Sequence, residues 1–113
     1  MNYVVDTSAL ICLLAKEKGW EKVKTYFEGT IYMSSVNLAE FYSWCNRKNF
    51  DLDEAQETLE HLGISFEEFA HEDAYQIGAL FGYTSKFGLS LGDRACLVLG
   101  KNLDCVVVTA DKA

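Results

Sequence analysis

Residues 3–10 have the sequence YVVDTSAL, which joins an apolar strand to an apolar helix through one acidic residue. Asp6 ends the strand, and Thr7 or Ser8 starts the helix. The helix body, residues 9–15, is apolar on every side, which is typical of a helix that is covered all round. This stretch therefore predicts a buried strand followed by a buried helix, as in the opening unit of an α/β fold.

The rest of the chain continues this alternation of apolar strands with helical segments. Further strands are predicted at residues 30–33, 64–66 and 106–109, and further helices at 20–28, 35–48, 52–62, 73–87 and 91–103. Apolar strands separated by helices favour a parallel sheet covered on both faces. The prediction is an α/β protein with three α/β/α layers and a mostly parallel central sheet of four or five strands.

Length and composition restrict the class of protein. A chain of 113 residues is expected to form one domain, residues 1–113. It contains no apolar run of roughly 18 residues and opens without the basic segment of a signal peptide, so we expect a cytoplasmic protein without a membrane span. The four cysteines lie in apolar settings without metal-binding spacing, which predicts reduced thiols: Cys12, Cys45, Cys96 and Cys105.

The net charge of −7 argues against a polyanionic ligand when it is taken alone. However, residues 51–73 hold nine of the seventeen acids and no Lys or Arg. The remainder of the chain has ten bases and eight acids, a net charge of +2. Binding of a nucleic acid is therefore compatible with the composition if the acidic segment faces elsewhere.

Four acidic residues stand at the ends of predicted buried elements. Asp6 ends the first strand, Asp111 follows the last one, and Asp93 lies in the opening turn of a helix. Glu40 has an apolar residue four positions away on either side along its helix. In parallel sheets, ligands bind beyond the carboxyl ends of the strands, which is where Asp6 and Asp111 are expected.

Each acid also has a purely structural interpretation. Asp6 can cap the first helix, Asp93 stands three residues after Ser90 as in a capping box, and Asp111 can mark a turn. Glu40 is harder to explain in this way, because burying a lone carboxylate costs several kcal/mol. Brought together, two carboxylates about 5 Å apart repel by roughly 3 kcal/mol, so such a cluster favours a bound cation.

The type of ligand indicates the metal and its chemistry. Carboxylate oxygens without His or Cys favour Mg²⁺ or Mn²⁺ over zinc. One or two such ions can activate water and stabilise the charge on a phosphodiester. The set Asp6, Glu40, Asp93 and Asp111 is thus a candidate for both metal binding and catalysis of phosphodiester hydrolysis.

Three segments, VVDTSAL at 4–10, LSLGDRA at 89–95 and VVTAD at 107–111, resemble the PIN domain when read in order with Glu40. Within that superfamily the chain is most similar to the VapC-type toxins of toxin–antitoxin pairs. The resemblance covers essentially the whole chain and implies an endoribonuclease that depends on Mg²⁺ or Mn²⁺. It also implies that the four acids form the catalytic quartet, supported by a hydroxyl of Thr7, Ser8 or Thr109.

The same resemblance implies partners. It predicts an RNA substrate, a homodimer and a cognate antitoxin whose C-terminal segment lies in a groove and places a basic side chain near the carboxylates.

The chain differs from the family at its C-terminal end, since domains of this type continue with a further helix and a short edge strand. The C-terminal end is therefore expected to be truncated or short.

The basic residues nearest one another in sequence flank the turn at Gly19, and they are our candidates for RNA binding: Lys16, Lys18, Lys22 and Lys24. Trp20 lies among them and either stacks on a base or belongs to the core.

Two other functions are alternatives to a ribonuclease. A phosphatase or phosphotransferase of doubly wound type, with Asp6 as nucleophile, is disfavoured because such sites commonly have the pattern D-x-D and residue 8 here is Ser. A catalytically inactive PIN-like module that binds RNA or protein is the second alternative.

Overall fold

The computed structural model describes residues 1–111. Four strands are present in this range: β1 Asn2–Val5, β2 Thr30–Ser34, β3 Ser65–Glu67 and β4 Val106–Val108. Six α-helices separate them: α1 Thr7–Leu14, α2 Trp20–Tyr26, α3 Ser35–Arg47, α4 Leu52–Glu60, α5 His71–Thr84 and α6 Leu91–Leu103. A 3-10 turn, Ser85–Phe87, follows α5. The order of strands and helices agrees with the prediction.

The strands form one parallel sheet in the order β3-β2-β1-β4. The predicted α/β class with a parallel sheet flanked by helices is confirmed, and the described residues supply four strands. Gly29 permits the pairing of β1 with β2, because a Cβ at this position would overlap the carbonyl of Met1. That carbonyl instead accepts a hydrogen bond from the Thr30 amide at 2.9 Å.

Two buried clusters hold the helices against the sheet. The larger joins strand residues such as Val5 and Met33 to α1–α4, and the smaller joins Ile77 of α5 to Ala95 and Val98 of α6. Each fully buried aliphatic side chain stabilises the fold by about 1.5–3 kcal/mol relative to exposure. No residue of α1 is exposed, whereas Ala15, which we expected within the same covered helix, lies after the helix end and is exposed.

The sheet edge at β4 differs from the sequence-based prediction. We expected residues 106–109 to form a buried strand, but β4 ends at Val108 and Val106 is 54% exposed. The reason is the strand order, which leaves β4 with a neighbour, β1, on one side only among the described residues. An apolar sequence predicts a strand but does not say whether that strand lies at the centre or at the edge of the sheet.

The predicted core position of the cysteines is confirmed for three of the four. Within residues 1–111 none of the four cysteines forms a disulfide, and three of them are buried in the core: Cys12, Cys45 and Cys96. Cys105 is half-buried beside the start of β4. Within residues 1–111, no helix combines the length and the apolar character that a membrane span requires.

Candidate functional site

The four acids predicted from the sequence line one cavity of about 380 Å³. It lies beyond the carboxyl ends of β1 and β4, and we call it the acidic cavity. Seven further residues complete its wall: Thr7, Ser8, Ile11, Asn37, Trp44, Arg47 and Ser90. The convergence follows from the topology, because β1 and β4 are parallel neighbours with Val5 beside Val108, and the chain leaves both strands at the same edge.

Asp6 serves as the N-cap of α1 while it faces the acidic cavity. It is 6% exposed, and its Oδ1 accepts hydrogen bonds from the Ala9 amide at 2.8 Å and from the Ser8 hydroxyl at 2.7 Å. The cap explains why a buried carboxylate is tolerated at this point, since the helix N-terminus favours negative charge. The structural and the functional interpretations of Asp6 are therefore compatible.

Glu40 is half-buried on α3 and is held by neutral donors. Its Oε1 accepts hydrogen bonds from the Thr7 hydroxyl at 2.8 Å and from Nδ2 of Asn37 at 3.0 Å. Gly92 makes room for this carboxylate, because a Cβ at position 92 would overlap the carboxyl carbon and both oxygens of Glu40. Close packing of α6 against α3 thus brings Glu40 beside the turn that carries Asp93.

Asp93 forms a reciprocal capping box at the start of α6. Its Oδ2 accepts a hydrogen bond from the Ser90 amide at 2.8 Å, and its own amide donates to the Ser90 hydroxyl at 3.1 Å. The box predicted from the sequence is therefore present. Because Asp93 also lines the acidic cavity, the helix cap fixes the position of a carboxylate at the site.

Asp111 is exposed at the rim of the acidic cavity. Its amide donates to the Thr109 hydroxyl at 3.1 Å. Ser8 links this segment to α1, since its hydroxyl accepts from the Ala110 amide at 3.0 Å and lies 3.2 Å from that of Thr109. The hydroxyl groups suggested by the sequence thus connect the segments that carry the acids.

One oxygen on each of three acids remains available for a cation. Asp6 Oδ2, Glu40 Oε2 and Asp93 Oδ1 accept no hydrogen bond from residues 1–111. However, within those residues no three His, Cys, Asp or Glu side chains lie close enough to bind one ion together. Mg²⁺ is commonly held by one or two carboxylates and several waters, and the residues fit that mode rather than a cage of carboxylates.

Burial and three of the acids raise the pKa of one thiol, that of Cys96. Burial, together with the smaller effect of the charges on Asp6, Asp93 and Glu40, raises the pKa of the Cys96 thiol to about 12. Cys96 is 2% exposed and belongs to α6, one turn after Asp93. The thiol is therefore neutral at physiological pH, and three of the acids act on the same region of the interior.

The arrangement of four acids at the end of a parallel sheet agrees with the family comparison. A profile of the PIN domain matches residues 3–113. The chain belongs to the PIN domain family. No curated protein sequence matches it.

Solved structures of similar fold agree with this assignment. VapC20 of Mycobacterium tuberculosis, a Sarcin-Ricin loop cleaving toxin, is 15% identical with a TM-score of 0.79, over 97% of this chain and 90% of VapC20. A chain of a toxin–antitoxin complex from Klebsiella pneumoniae is 18% identical with a TM-score of 0.71. The match covers 96% of this chain and 86% of the Klebsiella chain. VapBC2 of Rickettsia felis, bound to a DNA fragment from its promoter, is 18% identical with a TM-score of 0.70. The match covers 98% of this chain and 89% of the VapBC2 chain. The predicted resemblance to VapC structures is confirmed at the level of the fold.

Three residues of this PIN domain site were not identified from the sequence. Asn37 lies one helical turn before Glu40, a spacing that places both on one face of α3 and could have indicated it. Gly92 directly precedes Asp93, but its contact with Glu40 joins distant segments and has no local signal. Arg47 lies seven residues after Glu40, and it lines the acidic cavity from an exposed position.

The four lysines expected to bind RNA divide into two pairs. Lys18 and Lys22 line a groove of about 340 Å³ that follows β4 to Ala110. The other two flank Trp20, with Nζ 5.4 Å (Lys16) and 5.9 Å (Lys24) from the ring centroid. The indole is half-buried and packs against the core, which supports the structural role of Trp20 rather than base stacking.

A larger, mainly apolar cavity of about 570 Å³ lies between the end of α1 and helices α3 and α4. Phe41, Trp44 and Phe50 form its aromatic wall. Trp44 also lines the acidic cavity, so the two cavities share this side chain. We call the larger one the apolar groove. Its greater size does not make it the catalytic candidate, because the carboxylate ligands lie in the smaller cavity.

Proposed function

We propose that this PIN domain is a metal-dependent endoribonuclease, the toxin of a type II toxin–antitoxin pair. The observation that carries the proposal is the convergence of Asp6, Glu40, Asp93 and Asp111 on one cavity. The fold shared with the Sarcin-Ricin loop cleaving toxin VapC20 supports the choice of RNA as substrate. The cytoplasmic location expected from the sequence stays a prediction.

Asp6 and Asp93 are the residues best placed to hold Mg²⁺ or Mn²⁺, because helix caps fix one oxygen of each and leave the other available. When bound, the ion supplies an activated water and neutralises charge on the phosphodiester. Glu40, whose Oε1 is held by Thr7 and Asn37, keeps Oε2 available for the ion, which it would contact directly or through a bound water. Asp111 completes the quartet from the rim.

Substrate binding requires positive charge near an acidic cavity. We assign this role to Lys16, Lys18, Lys22 and Lys24, of which Lys18 and Lys22 line the groove beside β4. That groove includes Thr109 and Ala110, which directly precede Asp111. An RNA strand bound along it would reach the carboxylates without crossing the acidic segment, residues 51–73. Its phosphates would make binding salt-dependent.

An antitoxin partner fits the second cavity. The apolar groove meets the acidic cavity at Trp44, so a segment with apolar side chains in the groove can place a basic side chain at the carboxylates. Asp51 and Glu54 on the rim add to the attraction for a basic segment. The toxin–antitoxin complexes among the structures of similar fold support this assignment.

A homodimer is supported by exposed aromatic residues on α5 and the turn after it. Tyr75 is 84% exposed, Tyr83 76% and Phe87 64%. Large apolar side chains that are exposed together are typical of a protein interface. Replacing Tyr75 and Tyr83 by Lys is expected to give a monomer in sedimentation analysis. An unchanged sedimentation coefficient would place the dimer contact on another surface.

The test of the nuclease proposal is a gel of total cellular RNA incubated with the purified protein, with Mn²⁺ or with EDTA. Fragments that form only without the chelator are expected. Asp93→Asn should abolish them, whereas Asp104→Asn provides the control, because Asp104 is an exposed acid at the other end of the same helix. Intact RNA in every lane, with a folded protein, would favour the inactive binding module.

A further inference from the structure

Asn37 is a buried polar residue whose side chain connects two helices. It is 1% exposed, and its Nδ2 donates to Glu40 Oε1 at 3.0 Å and to the carbonyl of Gly92 at 3.1 Å. The second bond crosses from α3 to the first turn of α6. Burial of an amide is unfavourable unless its hydrogen bonds are made, so the residue type requires an explanation at this position.

The contacts determine the orientation of the amide. An amide nitrogen carries two protons, and both have an acceptor here. The reversed orientation would place Oδ1 against a carboxylate oxygen and a carbonyl oxygen, which repel it. In the observed orientation Oδ1 finds no donor within residues 1–111. The donor end of Asn37 is thus satisfied while its acceptor end is not, which indicates that the two N–H groups are what this position requires.

The neighbouring hydroxyl cannot replace these donors. Thr7 Oγ1 lies 2.8 Å from Glu40 Oε1 and 3.0 Å from the backbone carbonyl of Asn37. A hydroxyl has one proton and donates to one of these oxygens at a time. The amide of Asn37 therefore provides the donor that is always directed at Glu40.

We propose that Asn37 is a positioning residue for the bound ion: by holding Oε1 of Glu40 and the backbone of Gly92, it sets the Glu40 carboxylate relative to Asp93. This inference rests on the proposed function only in assuming that the acidic cavity binds a divalent cation. Residues that orient a metal ligand through hydrogen bonds commonly change metal affinity 10- to 100-fold when they are replaced.

The test measures Mn²⁺ affinity by calorimetry in the metal-free protein and its variants. Asn37→Ala is expected to weaken binding by about 10- to 100-fold. Asn46→Ala is the matched control, since Asn46 is exposed on the same helix, and it should leave the affinity unchanged. Circular dichroism shows whether each variant is folded; if Asn37→Ala is not, Asn37→Ser is measured instead.

A double-mutant cycle separates positioning from general loosening of the fold. In a Glu40→Gln background residue 40 no longer offers a charged ligand, so adding Asn37→Ala should change Mn²⁺ affinity by less than about twofold. An equal loss in both backgrounds, or no loss in the wild-type background, would overturn the proposal.

Failure of this inference and failure of the proposed function are distinguishable. A wild-type protein that binds Mn²⁺ but leaves RNA intact would refute the nuclease proposal. The double-mutant cycle would then still decide whether Asn37 positions Glu40 for the ion. A wild-type protein that cleaves RNA, with an affinity insensitive to Asn37→Ala, would refute the role of Asn37 alone. Absence of Mn²⁺ binding by the wild type at millimolar concentration would overturn both.

Discussion

Gly92→Ala is expected to impair the site through one methyl group. A Cβ at position 92 overlaps the Glu40 carboxylate, whereas ordinary contact begins at 3.4 Å. The side chain of Glu40 yields more easily than the α6 backbone, so its carboxylate must move by about 1 Å, a displacement that costs on the order of 100-fold in rate. The hydrogen bonds from Thr7 and Asn37, at 2.8 and 3.0 Å, lengthen or break with this movement.

The effect of the same substitution on stability is small because two contributions oppose each other. Alanine favours a helix over glycine by about 0.5–1 kcal/mol, and one lost hydrogen bond to a carboxylate costs about 1.5–3 kcal/mol. Glu40 is half-buried, which favours the lower end, so the net loss is about 1 kcal/mol, or about 4 °C in Tm for a domain of this size.

Cleavage of a short RNA under single-turnover conditions, Mn²⁺ calorimetry and thermal unfolding together test this expectation. Gly78→Ala is the matched control, because a Cβ at that position in α5 meets nothing within 4 Å. The control should be more stable by about 0.5–1 kcal/mol and cleave at the wild-type rate. A Gly92→Ala variant with wild-type cleavage and Mn²⁺ affinity would refute the reasoning, since it would show that the position of the Glu40 carboxylate does not matter.

Three further predictions concern the ion, a ligand and the RNA surface. Mn²⁺ at 100 times its Kd is expected to add about 2.7 kcal/mol to the free energy of unfolding, and calorimetric scans without any shift in Tm would contradict an ion site. Asp6→Asn should abolish cleavage but keep the cap on the Ala9 amide, leaving the metal-free protein at least as stable; a less stable protein would mean that the charge serves the helix alone. Replacing Lys18 and Lys22 by Gln should weaken RNA binding and reduce the slope of log K against log salt by about 1.4, with Lys101→Gln as the control; an unchanged slope would place the RNA elsewhere.

The order of strands and helices could be predicted because each is marked locally. The apolar run before Asp6 and the apolar body after it define β1 and α1 without reference to the rest of the chain. Position within the sheet is not marked in this way. The apolar sequence around Val106 predicts a buried residue, but Val106 is 54% exposed in the structure. The reason is that β4 lies at the edge of the sheet, and the order of strands depends on contacts between distant parts of the chain.

The acids of the candidate site were identifiable for the same local reason, while their supporting contacts were not. Asp93 follows Ser90 by three residues, and this spacing predicts the capping box that the structure contains. The bond from Asn37 to Gly92 joins residues 55 positions apart, and no periodicity in a single sequence encodes it. The sequence also presents cap and ligand as alternatives for Asp6, although one carboxylate has two oxygens and can serve both.

Asp6 and Asp93 combine an observed helix cap with the proposed catalytic role, and this affects how mutational data on the protein should be interpreted. Substitutions such as Asp6→Ala or Asp93→Ala remove a helix cap as well as a charge, so they are expected to lower the abundance of the protein together with the proposed activity. A deep mutational survey scored on abundance alone would record both positions as folding determinants and overlook any chemistry. Replacement by Asn, which preserves the acceptor, separates the two contributions.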